Sequence, residues 1–573
     1  MYRRVFAFGF DGTLAENGVV PPNLQAALIE LRAAGSVLFL VTGRRLDAAK
    51  LGSLKGLFTG IVWENGAVLY HTATHEIYLP FGQIDLRLAG ALEAAGVPLE
   101  YGRALVTTYA PLDRTVWNVL SEQGGSAVVA YNKGAVLIAP PGAAKGAGLE
   151  RMLMLCGLSP RSLVCFGDGE NDLSLLQLGE LGIAVSDAVP ILKDVADIVT
   201  AQPGPAGVFE ALEAYWPIGP TRDAPLPRRE RPIPLGEDRG SEVHLSGAHL
   251  AGGNLGVFGD SGSGKSWVIG LLAEGMQRAG YQTLLIDPEG DFRGMRALPG
   301  VVALEGEPGV LPSPAIAVTI LEKFSGSVVV DLCAYPIDQR EAYIADLLCA
   351  LQRLKQVRFR PHWVVLEEAQ YFLPPTGGAV SEALMPMLPD GGWAFVSYRP
   401  DRLYGPVLAG LDHALLTRLT EPEALRLAHD WFNLGDASPP DIPPGHAWLC
   451  GQGLVRLRPG ARRVPHIRHL YKYLDAPLPP HKRFYFRDEQ ERLDIEAASL
   501  HEFIRCLTDL PMPSLVYHYV RDDFAAWAQD ALGDAALAAQ LRKLTHRALE
   551  GERLREAIRQ CLSRHYAELS ALR

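Results

Sequence analysis

Eight consecutive residues, Gly259-Asp260-Ser261-Gly262-Ser263-Gly264-Lys265-Ser266, have the spacing G-x-x-x-x-G-K-S/T. Each residue type has a use there. The glycines let the backbone turn tightly, so that successive N–H groups face one anion. Lys265 can reach the β- and γ-phosphates of a nucleotide, and the Ser266 hydroxyl can hold Mg²⁺. The flanks supply the support such a loop needs. Leu255–Phe258 reads as a short buried strand, and Trp267–Ala273 reads as a helix whose N-terminus faces the phosphates. A chance glycine-rich turn would account for the loop but not for both flanks.

A second group of polar residues lies in the first third of the chain, at the ends of strand-like runs. Arg4–Phe8 leads into Gly9-Phe10-Asp11-Gly12-Thr13-Leu14. A helical stretch, Asn23–Ala33, is followed by Val37–Val41, which ends in Thr42-Gly43-Arg44. Ile61–Gly66 is a third strand-like piece. Lys145-Gly146 opens a helix, and Leu163–Gly167 ends in Asp168-Gly169-Glu170-Asn171-Asp172. Strands alternate with helices and the polar residues gather at strand C-termini, which implies a doubly wound α/β sheet with its site at that edge.

This order of motifs resembles the haloacid dehalogenase (HAD) phosphohydrolases with a large α/β cap, over about residues 1–210. The Asn65-Gly66 turn, Ile183–Ala188 and Ala196–Val199 belong to the same likeness. The resemblance implies a carboxylate that attacks phosphorus and a second carboxylate, Asp11, that acts as acid and base. Thr42 and Lys145 then hold the phosphoryl group, and Mg²⁺ sits on the Asp11 carbonyl, Asp168 and Asp172. The family's motif begins Asp-x-Asp-Gly-Thr, whereas position 9 is Gly. Glycine can neither attack phosphorus nor coordinate a metal, so phosphohydrolase activity is expected to be nearly abolished. An engineered substitution and a natural pseudoenzyme both account for a change of one base. The cap is expected at about 80–144, where Tyr101, Arg103, Tyr131 and Lys133 are candidate substrate readers or, more simply, surface and packing residues.

From Pro217 to Arg239 the chain is rich in proline and charge and reads as an extended linker. Beyond the glycine-rich loop, Gln282–Ile286 is a buried strand ending in Asp287-Pro-Glu-Gly-Asp-Phe292. Ser327–Asp331 is another strand, and Glu341–Leu354 is helical. Trp363–Leu366 ends in Glu367-Glu368-Ala369-Gln370, and Ala394–Ser397 ends in Tyr398-Arg399. This succession resembles the HerA/FtsK ring-forming motor ATPases over roughly 241–460. The resemblance places Glu367 at the Walker B position, in the Mg²⁺ shell, and gives Glu368 the task of directing the attacking water. The family has Asp in the first place and commonly Gln at the end of the next strand, where this chain has Ser397-Tyr398. An arginine finger from a neighbouring subunit is expected, with Arg399, Arg402 and Arg418 as candidates.

Composition bounds the rest. The 573 residues are 48% apolar, carry a net charge of −11, and include seven cysteines without C-x-x-C pairs. That suits a multidomain chain with reduced thiols in a cytoplasmic setting, with no disulfide frame, no zinc site and no membrane span. Between 451 and 487 basic residues alternate with aromatics, including Tyr471, Tyr473, Phe484, Tyr485 and Phe486. Such a stretch suits nucleic acid, single-stranded or duplex, and equally suits a solvated face beside a packed strand. From Ile495 to Leu572 the apolar spacing is helical. The expected organisation is a Rossmann-like HAD domain with an α/β cap at 1–215, a linker at 216–240, a P-loop NTPase α/β domain at 241–465, and a basic segment with a small helical domain at 466–573. Two functions fit. One is an ATP- and Mg²⁺-dependent ring motor on nucleic acid, a homo-oligomer of six, with a silenced phosphatase domain. The other is a nucleotide-gated oligomeric scaffold or regulator whose HAD domain hydrolyses or senses a small phosphorylated metabolite.

Overall fold

The computed structural model describes residues 5–45, 51–123, 127–132, 134–216, 231–305, 312–324, 326–432, 442–451, 454–464, 474, 478, 480–532, 534–545 and 549–570. They fall into two compact units. The first gathers Met1–Ile286, Leu304–Val330 and Ala334–Ala461, and the second gathers Asp287–Ala303, Asp331–Cys333 and Arg462–Arg573.

The first unit contains two large sheets. In the N-terminal one, β1 (Val5–Gly9), β2 (Val37–Val41) and β3 (Gly60–Trp63) run parallel, and β4 (Val68–His71) and β5 (Ile77–Tyr78) extend the edge antiparallel. The cap follows as an antiparallel sheet of β6 (Glu100–Tyr101), β7 (Val106–Tyr109), β8 (Val128–Asn132) and β9 (Ala135–Ala139), in the order β6-β7-β9-β8. Two helices, Leu86–Ala94 and Asp113–Gln123, close its outer face over a separate core of Leu88, Leu92, Val106, Val116 and Ile138. The chain then returns to the main sheet with β10 (Leu163–Gly167), β11 (Leu181–Ala184) and β12 (Ile198–Val199), giving β12-β11-β10-β1-β2-β3-β4-β5. Strand β1 is buried at every residue because helices cover both faces, which is why its sequence is a continuous apolar run. Phe8 stacks on Phe166 at 5.0 Å between centroids, and each ring buried this way stabilises the fold by roughly 1.5–3 kcal/mol.

The second sheet starts earlier than the linker reading allows. Residues 232–238, expected as the end of an extended linker over 216–240, form β13 (Pro232–Asp238), paired with β14 (Ser241–Ser246). Ile233 and Leu235 are buried and the prolines at 232 and 234 are exposed, so the stretch alternates with period two. The prolines are tolerated because the second neighbour of β13 bonds it only at Gly236 and Glu237. Residues 217–230 lie outside the described part. The sheet continues through β15 (Asn254–Phe258), β16 (Thr283–Asp287), β17 (Val301–Glu305), β18 (Ser327–Asp331), β19 (Trp363–Leu366), β20 (Trp393–Ser397), β21 (His413–Leu416), β22 (Ala447–Cys450) and β23 (Leu454–Pro459). Its order is β14-β13-β23-β22-β21-β15-β20-β19-β16-β18-β17. The two sheet systems share a buried polar knot. The carboxylate of Glu180, fully buried just before β11, accepts from Tyr281 Oη at 2.6 Å, Arg231 Nε at 2.9 Å and Arg161 Nη1 at 3.3 Å.

The second unit contains a hairpin of β24 (Phe484–Arg487) and β25 (Arg492–Ala497), then helices at Leu500–Asp509, Met512–Val520, Asp523–Asp530, Ala535–Thr545 and Gly551–Ser570. The helical pattern expected from Ile495 therefore begins at Leu500, because Leu493, Ile495 and Ala497 alternate as a strand does. Phe484 and Phe486 are core residues at 6% and 0% exposure, packed on Phe503, Phe524 and Trp527. Of the aromatics expected to stack on bases, Tyr485 stays partly exposed beneath Arg492, and Tyr471 and Tyr473 lie outside the described residues. Among the described residues no helix is long and apolar enough to cross a membrane.

Candidate functional site

The glycine-rich loop joins β15 to a helix running Lys265–Arg278. Gly264 adopts φ 104°, a left-handed turn that only glycine enters freely, and it starts that helix. Gly259 is needed for a different reason, since a Cβ on it would lie 1.8 Å from Thr417 Oγ1. Thr417 follows β21 and shares a hydrogen bond of 2.6 Å with the Ser263 hydroxyl. Nearby, the Asp260 N–H donates to the Arg418 carbonyl at 2.7 Å, and the Thr420 hydroxyl donates to Asp260 Oδ2 at 2.8 Å. The loop is thus buttressed from β21. Lys265 is 1% exposed and donates to the carbonyls of Gly259 at 2.7 Å and Asp260 at 3.1 Å. A buried ammonium turned onto its own loop, beside a helix N-terminus and the buried Ser266 hydroxyl, is a donor set that fits a polyphosphate and the Mg²⁺ it carries.

Strand β20 lies between β15 and β19, so the acidic pair Glu367-Glu368 emerges one strand away from the loop. Glu367 is buried, and its N–H donates to Ile286 O at the end of β16. Glu368 has φ 48°, a conformation that turns the chain sharply after the strand, and its carboxylate accepts from Gln370 Nε2. Ser397 donates its hydroxyl to Arg399 O at 2.8 Å. Arg399 forms a fork with Asp401 at 2.8 and 2.7 Å and reaches Glu421 at 3.2 Å, and these carboxylates hold its pKa above the ordinary arginine value. Arg402 is exposed with a 3.7 Å contact to Asp401, and Arg418 is exposed.

The expected phosphoryl residues also meet at one sheet edge. Gly9, Thr42 and Asp168 end or follow the adjacent strands β1, β2 and β10. Thr42 is 2% exposed and its Oγ1 accepts from Arg44 N. Lys145, at the start of the helix Lys145–Leu155, donates to Asp172 Oδ1 at 2.6 Å, and Asp172 Oδ2 accepts from the N–H groups of Asp168 and Gly169 at 3.1 Å each. Asp168 Oδ1 accepts from the Thr13 hydroxyl at 2.8 Å. Asp11 is gripped by Arg44 at 2.8 and 2.6 Å. Among the described residues no group of three or more His, Cys, Asp or Glu side chains is placed for a metal. The expected Mg²⁺ ligands are the Asp11 backbone carbonyl with the Asp168 and Asp172 carboxylates, a set with two acidic side chains only. Asp172 is committed to Lys145 and two N–H groups, and position 9 supplies no carboxylate.

Sequence reasoning missed the residues that fix the cap. Glu64, buried at φ 52°, accepts from the N–H groups of Arg103 at 2.7 Å, Ala104 at 2.8 Å and Leu105 at 3.3 Å. Arg45 bridges to Glu100 at 3.2 Å and Tyr101 O at 3.3 Å. A charged residue ending the apolar run Ile61–Trp63 was the only signal for Glu64. The candidate readers Tyr101 and Tyr131 are surface residues, bonded to Glu93 and Trp117 respectively, and Lys133 lies outside the described residues.

The chain matches two family models, the haloacid dehalogenase-like hydrolases at residues 107–212 and the central domain of helicase HerA at 233–349. Phosphoglycolate phosphatase 2 of Saccharolobus solfataricus is 34% identical over 216 residues, covering 36% of this chain and 90% of that protein. The phosphoglycolate phosphatase of Methanothermobacter thermautotrophicus is 30% identical over 222 residues, covering 37% and 98%. The chain also matches the chloroplastic endoribonuclease YBEY of Arabidopsis thaliana with 41% identity over 78 residues, 14% of this chain, and spans only 13% of that protein's length. A haloacid dehalogenase-like hydrolase structure from Bacteroides thetaiotaomicron aligns at 19% identity and TM-score 0.33, over 37% of this chain and 98% of that one. Through its N-terminal domain the chain belongs to the haloacid dehalogenase-like hydrolases, and it joins that domain to a HerA-like P-loop ATPase domain.

Proposed function

We propose that this chain hydrolyses ATP at the 259–266 loop, acts as a ring-type motor on nucleic acid, and carries a phosphatase domain silenced by Gly9. The observation that carries the ATPase reading is the loop itself, with buried Lys265 and Ser266 on one strand's end and Glu367-Glu368 one strand away. Backbone N–H groups of the loop and Lys265 bind the phosphates. Ser266 and Glu367 hold Mg²⁺, which neutralises charge on the phosphates when bound. Glu368 orients the attacking water. Lys265→Ala is expected to weaken ATP binding, because it removes the loop's only cationic side chain. Glu368→Gln is expected to leave binding intact and slow hydrolysis, since only the water-directing carboxylate changes. Normal turnover in Glu368→Gln would show that the acidic pair has been assigned in the wrong register.

A second reading is favoured by two observations. Phe484 and Phe486 are spent in a core, and the cap is held down over the phosphatase site. In this reading the ring is a nucleotide-gated scaffold and its HAD domain senses a small phosphorylated metabolite, a class to which the relatives' phosphoglycolate belongs. Binding to single-stranded and duplex DNA over a salt series separates the two. A motor shows affinity that falls steeply with salt, and a scaffold shows none.

A further inference from the structure

We propose that Gln370 is a positioning residue for ATP hydrolysis, holding the Glu368 carboxylate in the orientation that directs water. This rests on the ATPase reading of the 259–266 loop and the acidic pair, and adds to it a residue outside both.

Glu368 needs a support. It is half-buried, and a glutamate side chain left to itself samples several rotamers. Gln370 Nε2 donates to its Oε2. The backbone explains how a side chain two positions on reaches back. Glu368, at φ 48°, ends the extended run of β19 and folds the chain into the single turn Ala369–Tyr371. Within it the Tyr371 N–H donates to Glu368 O at 3.0 Å. Ala369, Phe372 and Leu373 are buried, so the turn is fixed in place. It packs against β20, the strand that separates the acidic pair's strand from the strand of the ATP loop.

The amide is only half used. Gln370 is 7% exposed, and its Oε1 is buried without a hydrogen-bond partner. A stranded buried acceptor is destabilising. If position 370 served packing alone, methionine would fill the same space with no carbonyl to satisfy. The chain keeps an amide that weakens the fold at its oxygen end, and the use of that amide lies at its nitrogen end, on Glu368. Backbone strain marks the same spot, because a non-glycine residue persists in the left-handed region where the geometry it creates is needed. Ser397, ending the neighbouring β20, is engaged elsewhere. Its hydroxyl donates to Arg399 O at 2.8 Å and accepts from the Arg399 N–H at 3.2 Å, closing its own turn.

The test is a steady-state ATPase assay of the full chain, beside binding of a non-hydrolysable ATP analogue and a thermal melt. Gln370→Met is expected to lower kcat about tenfold, the scale of one lost hydrogen bond to a charged group. It should leave the analogue's Kd unchanged and melt no lower than its parent, because the stranded acceptor leaves with the amide. A packing role does not produce a slower enzyme of undiminished stability. Gln370→His keeps an N–H donor and should recover most of the rate. Gln370→Glu, isosteric but without the donor, should be slow as well, and serves if Gln370→Met misfolds. The double variant Glu368→Gln/Gln370→Met should be no slower than Glu368→Gln, since Gln370 acts through that carboxylate. An unchanged kcat, a kcat that falls together with affinity and melting temperature, or full additivity in the double variant would overturn the proposal. Glu368→Gln alone keeps the two readings apart. If it hydrolyses ATP normally, the acidic pair's assignment falls and Gln370 with it. If it is slow while Gln370→Met and Gln370→Glu are not, Gln370 alone is removed.

Discussion

At position 9 the backbone arrives where a carboxylate would have to stand, and Thr13 occupies part of the space beside it. A Cβ there would lie 2.7 Å from Thr13 Oγ1, the atom that donates to Asp168. Gly9→Asp is therefore expected to gain Mg²⁺-dependent hydrolysis of an aryl phosphate, and to lose about 1–3 kcal/mol of stability as Thr13 turns aside. A phosphatase assay beside a urea midpoint reads both, and no gain in a folded variant would remove Gly9 as the cause of silence. In the ATP loop, Gly259→Ala places its methyl 1.8 Å from Thr417 Oγ1. ATP affinity should fall at least about tenfold, while Gly405→Ala, whose Cβ meets nothing within 4 Å, should leave it unchanged. A nucleotide titration of both variants decides. These residues differ in how legible they were. Gly259–Ser266 is contiguous, so its chemistry is written in one place. Thr417 contacts Ser263 across 154 positions, and a threonine following an apolar strand carries no local mark of that duty.

Among the elements, the strands that end at the two sites are the ones a sequence states most clearly. β1, β10, β15, β18 and β20 are buried on both faces, and a continuous apolar run ending in polar residues is the pattern that such burial demands. β13 was hidden by its prolines, and β25 by charged residues on its solvent face. Burial also creates a pH dependence. His362, 2% exposed at the start of β19, has its pKa held well below the ordinary 6.5, first by burial and then by Arg360, Arg161 and Lys355. His518 is lowered in the same direction, chiefly by burial, against the opposing pull of Asp523. A histidine with a depressed folded pKa binds its proton more readily unfolded. Its stabilising contribution is therefore complete above the unfolded value of 6.5 and is lost as pH falls below it. The melting temperature should drop between about pH 7.5 and about pH 5.5, and His362→Asn, which keeps an acceptor for the Gln282 N–H, should flatten that drop. Melting curves of the two proteins across that range would overturn the assignment if their slopes coincide.

For the whole molecule, the question is where the positive charge opposite the γ-phosphate comes from. In the proposed ATP site Lys265 and the loop would hold the phosphates from one side. Of the three candidate arginines, Arg399 is engaged by Asp401, Glu421 and Glu423 of its own chain, so it reaches a phosphate only by breaking a half-buried fork. Arg402 and Arg418 are exposed, where they are available to a neighbouring protomer. A repeated head-to-tail contact would bring one protomer's exposed arginine to the next protomer's loop, and such a contact closes into a ring without any self-complementary patch. The expected outcome is a particle several times the 62.2 kDa protomer when nucleotide is present. Light scattering with and without a non-hydrolysable ATP analogue measures it. Arg402→Ala and Arg418→Ala, each mixed in excess with Lys265→Ala, then identify the finger. The arginine that acts in trans is the one whose variant is inactive alone and regains ATP hydrolysis when mixed with Lys265→Ala. A strict monomer in both conditions that still hydrolyses ATP at an ordinary rate would remove the ring and leave Arg399, released from its carboxylates, as the charge that has to act within one chain.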